Sequence, residues 1–167
     1  MKKIIFLLSL FFLSCSSDDK YLINEGIVNI DYLFNSPNTE WFKNNYDSYD
    51  LDTKTFDSNF SNLDKFQIEI YMNTNCHDSK REVPRLIKIL NTLNFSEDNL
   101  KIVLLNSKKK SSDGYENGKN ITNTPTIIFL SNSIEKNRIV EFPYENLEKD
   151  ILNIINNKNY KHVYYSE

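Results

Sequence analysis

This sequence predicts an α/β domain, a central mixed β-sheet flanked by helices with a helical extension at its N-terminal end. Three observations carry the prediction. Residues 66–72 alternate like a strand, 76–93 repeat like a helix, and 100–105 form a second apolar run, so strand, helix and strand follow one another. Two more apolar runs, 126–130 and 134–142, are separated only by Ser131, Asn132 and Ser133, which is hairpin spacing. The 167 residues, 40% of them hydrophobic, suffice for one ordinary domain and not for two large ones.

Taken in order, Met1 to Leu13 opens with Lys2 and Lys3 and continues from Ile4 to Leu13 as an apolar stretch broken only by Ser9. That is the positive region and short apolar region of an export signal. A stretch of about ten residues spans ~15 Å, half of a bilayer core, and is too short for a permanent membrane helix. The segment ends Phe12, Leu13, Ser14, Cys15. This ending resembles the lipobox of bacterial lipoproteins, with Phe12 where a leucine is usual. The resemblance implies that residues 1–14 are a lipoprotein signal peptide, that Cys15 carries lipid, and that the mature chain is anchored to a membrane of the cell envelope. An ordinary secretory signal with an incidental cysteine is the alternative. The run Ser16-Ser17-Asp18-Asp19 resembles export signals of surface lipoproteins, and equally fits a solvated tether.

Residues 15–37 read as the tether. Within them Ile27, Ile30, Leu33 and Phe34 recur at helical spacing, which predicts a short helix before Pro37. Residues 38–65 read as an N-terminal helical extension packing on the core. Asn38 or Thr39 is the expected cap of a helix carrying Trp41, Phe42 and Tyr46, and a further helix is expected from Thr53 to Leu63 with Phe56, Phe60 and Leu63 on one face. Neither has enough apolar surface to close a core alone. The main domain is then 66–157. Its first strand, helix and second strand form a βαβ unit, the polar loop 106–120 follows, then the hairpin, and Tyr144 to Asn157 is a final amphipathic helix. Helices on both faces of the sheet would bury its apolar sides. Residues 158–167 are a C-terminal tail holding three tyrosines and His162.

Composition narrows the function classes. The chain has 20 basic and 23 acidic side chains, and removal of residues 1–14 takes two lysines with it. No basic surface points to nucleic acid, and Lys108-Lys109-Lys110 reads as a solvated loop. Cys15, Cys76, His77 and His162 are all the cysteine and histidine there is, too few for a metal site of thiolate and imidazole, and no cofactor motif is present. Alanine is absent and asparagine numbers 24, so helices must be held by packing more than by propensity.

One stretch carries chemistry. Cys76 stands where the first strand of the main domain hands over to the helix, among the polar residues Asn75, His77, Asp78 and Ser79. A sulfur at a helix N-terminus faces unpaired N–H groups and the positive end of the dipole, which favour the nucleophilic thiolate. Pro84 lies inside the helix, where proline costs ~3 kcal/mol and needs a reason. Asn75 and Asp78 read as helix caps. His77 reads either as a group assisting the thiolate or as an incidental exposed histidine.

Cys76, Pro84 eight residues on, and Asn123-Thr124-Pro125-Thr126 before the hairpin together resemble the thioredoxin superfamily, over residues 66–157. Cys76-His77-Asp78-Ser79 is similar to a bacterial thioredoxin-like subgroup with a Cys-x-Asp-Ser pattern. The resemblance implies that Cys76 is the nucleophile, that Pro84 kinks the helix, and that a cis bond before Pro125 faces Cys76. It also implies that the Thr124 backbone is exposed there to pair with an extended substrate segment. The chain departs from the family's dithiol pattern. Ser79 replaces the second cysteine, Asn75 the usual tryptophan, and Ile70 a buried carboxylate. What remains is monothiol chemistry: Cys76 forms a mixed disulfide with a protein or low-molecular-weight partner, an external thiol resolves it, and Ser79 steadies the thiolate. Such a centre suits deglutathionylation or isomerisation. The alternative is a non-catalytic thioredoxin-like module that binds a peptide or partner beside Pro125. A metal or haem chaperone would need converging ligands that the neighbourhood of Cys76 lacks.

Overall fold

A computed structural model describes residues 24–56 and 59–166. The signal segment, the acidic run behind it and Cys15 lie outside the described residues. Five strands order as β1-β3-β2-β4-β5: β1 (Gly26–Val28), β2 (Gln67–Met72), β3 (Leu100–Leu104), β4 (Thr126–Ser131) and β5 (Ile134–Val140). The β2–β3 pair is parallel, and the pairs β1–β3, β2–β4 and β4–β5 are antiparallel. The helices are α1 (Ile30–Asn35), α2 (Trp41–Asp47), α3 (Thr53–Phe56), α4 (His77–Thr92) and α5 (Leu147–Ile155). The α/β class and the mixed sheet thus stand as expected.

Strand alternation sorts the apolar residues into two layers. Ile68, Ile70 and Met72 of β2, Ile102 and Leu104 of β3, and Ile127 and Phe129 of β4 join one large core with α1, α2, α4 and α5. Tyr71, Val103, Leu105, Ile128 and Leu130 form a smaller cluster on the other face, covered by Tyr115 and Ile121. Those two residues come from the segment that links β3 to β4. Helices therefore lie against one face, not both. The second face is closed by a non-helical segment, and polar bonds hold it there. Lys119 Nζ lies 2.6 Å from Glu69 Oε2, the Tyr71 hydroxyl, bonded to Glu69 at 2.9 Å, also lies 3.2 Å from Tyr115 O, and Lys101 sits over the Tyr115 ring.

This network has a pH consequence. Burial alone would raise the Glu69 carboxyl, but bonds from Lys119 and Tyr71 outweigh it and hold the group below its ordinary 4.5. Glu116 is likewise held low: burial opposes ionisation, and the Ser111 hydroxyl at 2.6 Å and Ser111 N–H at 3.1 Å overcome it. Carboxyls lowered on folding contribute stability above their unfolded value and lose it as pH falls through the folded one. Asp150 acts in the opposite sense, because burial raises it despite its bond from Tyr160. We expect the urea midpoint to fall on acidification from about pH 5 to pH 3, and Glu69→Gln to flatten that fall. An equal fall in both proteins would contradict this.

Four local readings need correction. The tether assigned to 15–37 holds, besides the expected short helix before Pro37, which is α1, the strand β1, and Val28, Ile30, Tyr32 and Leu33 are buried in the main core. Ile27 belongs to β1, paired with Val103, and not to the helix. The helix expected from Thr53 to Leu63 is a four-residue helix ending at Phe56, with a separate 3-10 turn at Leu63–Lys65. The segment before α2 is a 3-10 turn at Pro37–Thr39 capped by the Ser36 hydroxyl, and Glu40 precedes α2 without a side-chain cap bond.

Pro84 sits within the continuous helix α4. Having no N–H, it cannot bond the carbonyl of Lys80, four residues back. Asn45 of α2 supplies the missing donor, its Nδ2 lying 2.9 Å from Lys80 O. The proline thus frees a carbonyl that docks α2 on the helix carrying the candidate site, beside the bonds of Lys88 Nζ to Asp47 O at 3.1 Å and of Asn91 Nδ2 to the Tyr46 hydroxyl at 3.2 Å.

Candidate functional site

Cys76 is the N-cap of α4, half-buried, with no side-chain cap bond. Ser, Thr, Asp and Asn suit that position because their oxygens bond the first-turn N–H groups, so a cysteine there forgoes stability. The expected caps Asn75 and Asp78 do not take the role. The Asn75 N–H donates to Asn73 Oδ1 at 2.8 Å, and Asp78 pairs with Arg81 Nη2 at 2.8 Å.

Asn73 organises the junction, and the sequence reading did not single it out. Its Nδ2 donates to Leu105 O at 2.6 Å, its carbonyl accepts from Cys76 N–H at 3.0 Å, and its own N–H donates to Ser79 Oγ at 3.3 Å. One asparagine therefore ties the end of β2 to the end of β3 and to the first turn of α4. A polar residue just past a buried strand, where ladder bonding stops, is the signal that could have marked it.

The Cys76 sulfur reaches across to the segment before β4, donating to Thr124 O at 3.0 Å. The Thr124–Pro125 bond is cis, as the resemblance implies. That segment is clamped on both sides. Thr126 Oγ1 donates to Asn123 O at 2.7 Å, Glu141 N–H to Pro125 O at 2.7 Å, and Asn123 Nδ2 to Glu141 at 3.1 Å. The tail joins in. The Tyr164 hydroxyl bonds Glu141, and the Tyr160 hydroxyl donates to Asp150 at 2.7 Å. The resemblance also implies an exposed Thr124 backbone. Instead Thr124 is buried, and its carbonyl oxygen is taken by the thiol.

Cys76, Thr124 and Pro125 are thus brought together. Ser79 is fully buried and bonded to the Asn73 N–H, so its oxygen faces the strand end. The His77 side chain is 82% exposed and its Nδ1 lies 3.6 Å from Asp78. Among the described residues no group of three or more His, Cys, Asp or Glu is arranged to hold a metal, and no helix is long and apolar enough to cross a membrane.

Beside the first turns of α4 lies a cavity of about 330 Å³, bordered by Asn45, Tyr49, His77, Lys80, Arg81 and Arg85 among others. It is basic, although the chain as a whole is acidic. Comparison with family models, with curated proteins and with solved structures finds no match to this chain.

Proposed function

We propose that this chain is a thioredoxin-like, lipid-anchored protein of the cell envelope that carries out monothiol thiol–disulfide exchange through Cys76. The observation that carries the reading is the 3.0 Å contact of Cys76 Sγ with Thr124 O, which joins the start of α4 to a segment 48 residues away. Support for the thioredoxin-like part comes from the parallel β2–α4–β3 unit and the β4–β5 hairpin beside it, with the cysteine at the β2–α4 junction and the proline just before β4. Support for exchange comes from a half-buried thiol standing where a capping oxygen would be more stable, since local rules are most often broken at functional sites.

The step conserves sulfur–sulfur bonds. Cys76 gives its proton to solvent, and the thiolate attacks one sulfur of R–S–S–R′. A Cys76–S–S–R bond forms as the R–S–S–R′ bond breaks, and R′–S⁻ leaves and takes up a proton. Ser79 cannot resolve the product, so an external thiol must. The same contact counts against the binding-module alternative, because the Thr124 carbonyl that would pair with an extended segment is engaged by the thiol.

The test uses the full chain in detergent and a small disulfide with a chromophoric thiol leaving group. We expect one adduct per chain in the wild type and none in Cys76→Ser, by intact mass and released chromophore. Adduct formation no faster than with a free cysteine overturns the exchange reading. The same mass reads the N-terminus: a chain starting at Cys15 without acyl mass overturns the lipid anchor.

A further inference from the structure

The structure assigns the basic cavity beside α4 to a carboxylate of the substrate, so that Cys76 acts preferentially on acidic peptide disulfides; this deepens the exchange reading and rests on it. The chain has only three arginines, and two of them, Arg81 and Arg85, line this one cavity together with Lys80. Helical spacing explains the convergence: positions 77, 80, 81 and 85 share one face of α4, the face against which α2 packs. His77, next to Cys76 in sequence, borders the same cavity, so the cavity begins one residue from the sulfur-bearing residue.

Partners already present do not exhaust these cations. Lys80 has no carboxylate among the described residues and rests 5.8 Å from the centre of the Trp41 ring. Arg81 Nε and Arg85 Nη1 both meet the same oxygen, Glu82 Oε1. Glu82 is buried and its Oε2 has no partner. A single buried carboxylate thus fixes two guanidinium groups, and Asp78 adds a second contact to Arg81. Each guanidinium carries five N–H donors, so most remain available to an incoming acceptor. Arg85 is steadied further over the Tyr49 ring, at 5.1 Å. Three cations face two carboxylates, which leaves an excess of positive charge in a concave site, where an anion is recognised with pre-ordered donors.

Distance sets the substrate's shape. Lys80 and Arg85 lie ~6 Å and ~14 Å along the helix axis from Cys76 at 1.5 Å per residue. An extended peptide advances ~3.3 Å per residue, so the recognised carboxylate lies about two to four residues from the substrate cysteine. With the peptide thiol as R and a better leaving thiol as R′, the exchange step proceeds as written above and leaves the acidic peptide on Cys76.

The experiment uses the full chain in detergent and three mixed disulfides of one short cysteine peptide with a chromophoric thiol. The peptide carries two Asp, two Asn or two Lys three residues from its cysteine. Each rate is divided by that of free 2-mercaptoethanol with the same probe. We expect the Asp peptide to react about five- to tenfold faster than the Asn peptide at low salt, and the Lys peptide slower than both. The Asp-to-Asn ratio should fall to near one in the double variant Lys80→Gln/Arg85→Gln, and in the wild type at ~0.5 M salt. Trp41 emission checks that the double variant is folded. Measurable exchange with a ratio near one in the wild type overturns the inference and leaves the exchange reading standing. Release too slow to measure from all three probes overturns the exchange reading and the inference with it.

Discussion

Phe42→Ala is expected to lower the unfolding free energy by about 3–5 kcal/mol, the range for deleting a fully buried aromatic ring. Phe42 is completely buried, and it meets Phe34 edge-on at 4.9 Å and lies 5.8 Å from Trp41. It belongs to the same core as the strand residues Ile68 and Ile70 and the α4 residues Leu86 and Leu90. The prediction therefore concerns more than one side chain. Were residues 38–65 a detachable cover, the loss would be local, and Trp41 fluorescence would unfold ahead of the far-ultraviolet circular dichroism signal. With one shared core the two signals should move together, the urea midpoint should fall, and the slope should stay constant. Domains of this kind are stable by about 5–15 kcal/mol, so the variant should sit near the edge of folding. A change below about 1 kcal/mol, or two separate transitions, would refute a shared core.

How much of this was legible depended on length of pattern. β2, α4, β3 and the hairpin strands lie within one or two residues of their expected limits, because each shows several turns of its own period. β1 was missed because three residues hold no period. Its exposed Ile27 happens to stand three before Ile30, and so counterfeits a helical repeat. The covering of the second face by 106–121 was missed for a related reason. Among the described residues only Tyr115 and Ile121 of that segment give apolar contact there, and polar contacts such as the Lys119–Glu69 ion pair and the bond from the Tyr71 hydroxyl to Tyr115 O add to it. At the site, Cys76 at the strand–helix junction was readable. Its partner Thr124 O was reachable only through the resemblance, since no local rule links positions 48 apart. The cavity has no signature in α4 alone, because Lys80, Arg81 and Arg85 border it only together with Asn45 and Tyr49 from the N-terminal extension. Asn45, which joins α2 to that face, answers a gap in bonding made by Pro84, and such a pairing cannot be seen in either segment alone.

Glu148→Ala should destabilise by about 2–5 kcal/mol, for a reason distinct from cavity formation. Glu148 stands in the first turn of α5, fully buried, where the helix dipole favours a carboxylate. Its two oxygens accept from the Tyr49 hydroxyl at 2.8 and 3.0 Å, and Oε1 also accepts from the Asp52 N–H at 3.1 Å. Both donors lie nearly a hundred residues earlier, so one carboxylate holds the end of the N-terminal extension to the last helix. Alanine removes the acceptor and leaves two donors without it, each costing about 1–3 kcal/mol. Glu148→Gln keeps one carbonyl oxygen and should lose less than half as much. A titration separates this account from simple loss of volume. Burial first, and then the bond to Glu148, push the Tyr49 hydroxyl well above its ordinary 10. In Glu148→Ala one tyrosine should therefore begin to ionise closer to 10 while the chain is still folded. If the stability falls but no tyrosine changes its titration, Glu148 acts by filling space, and the hydrogen bonds across the extension contribute little.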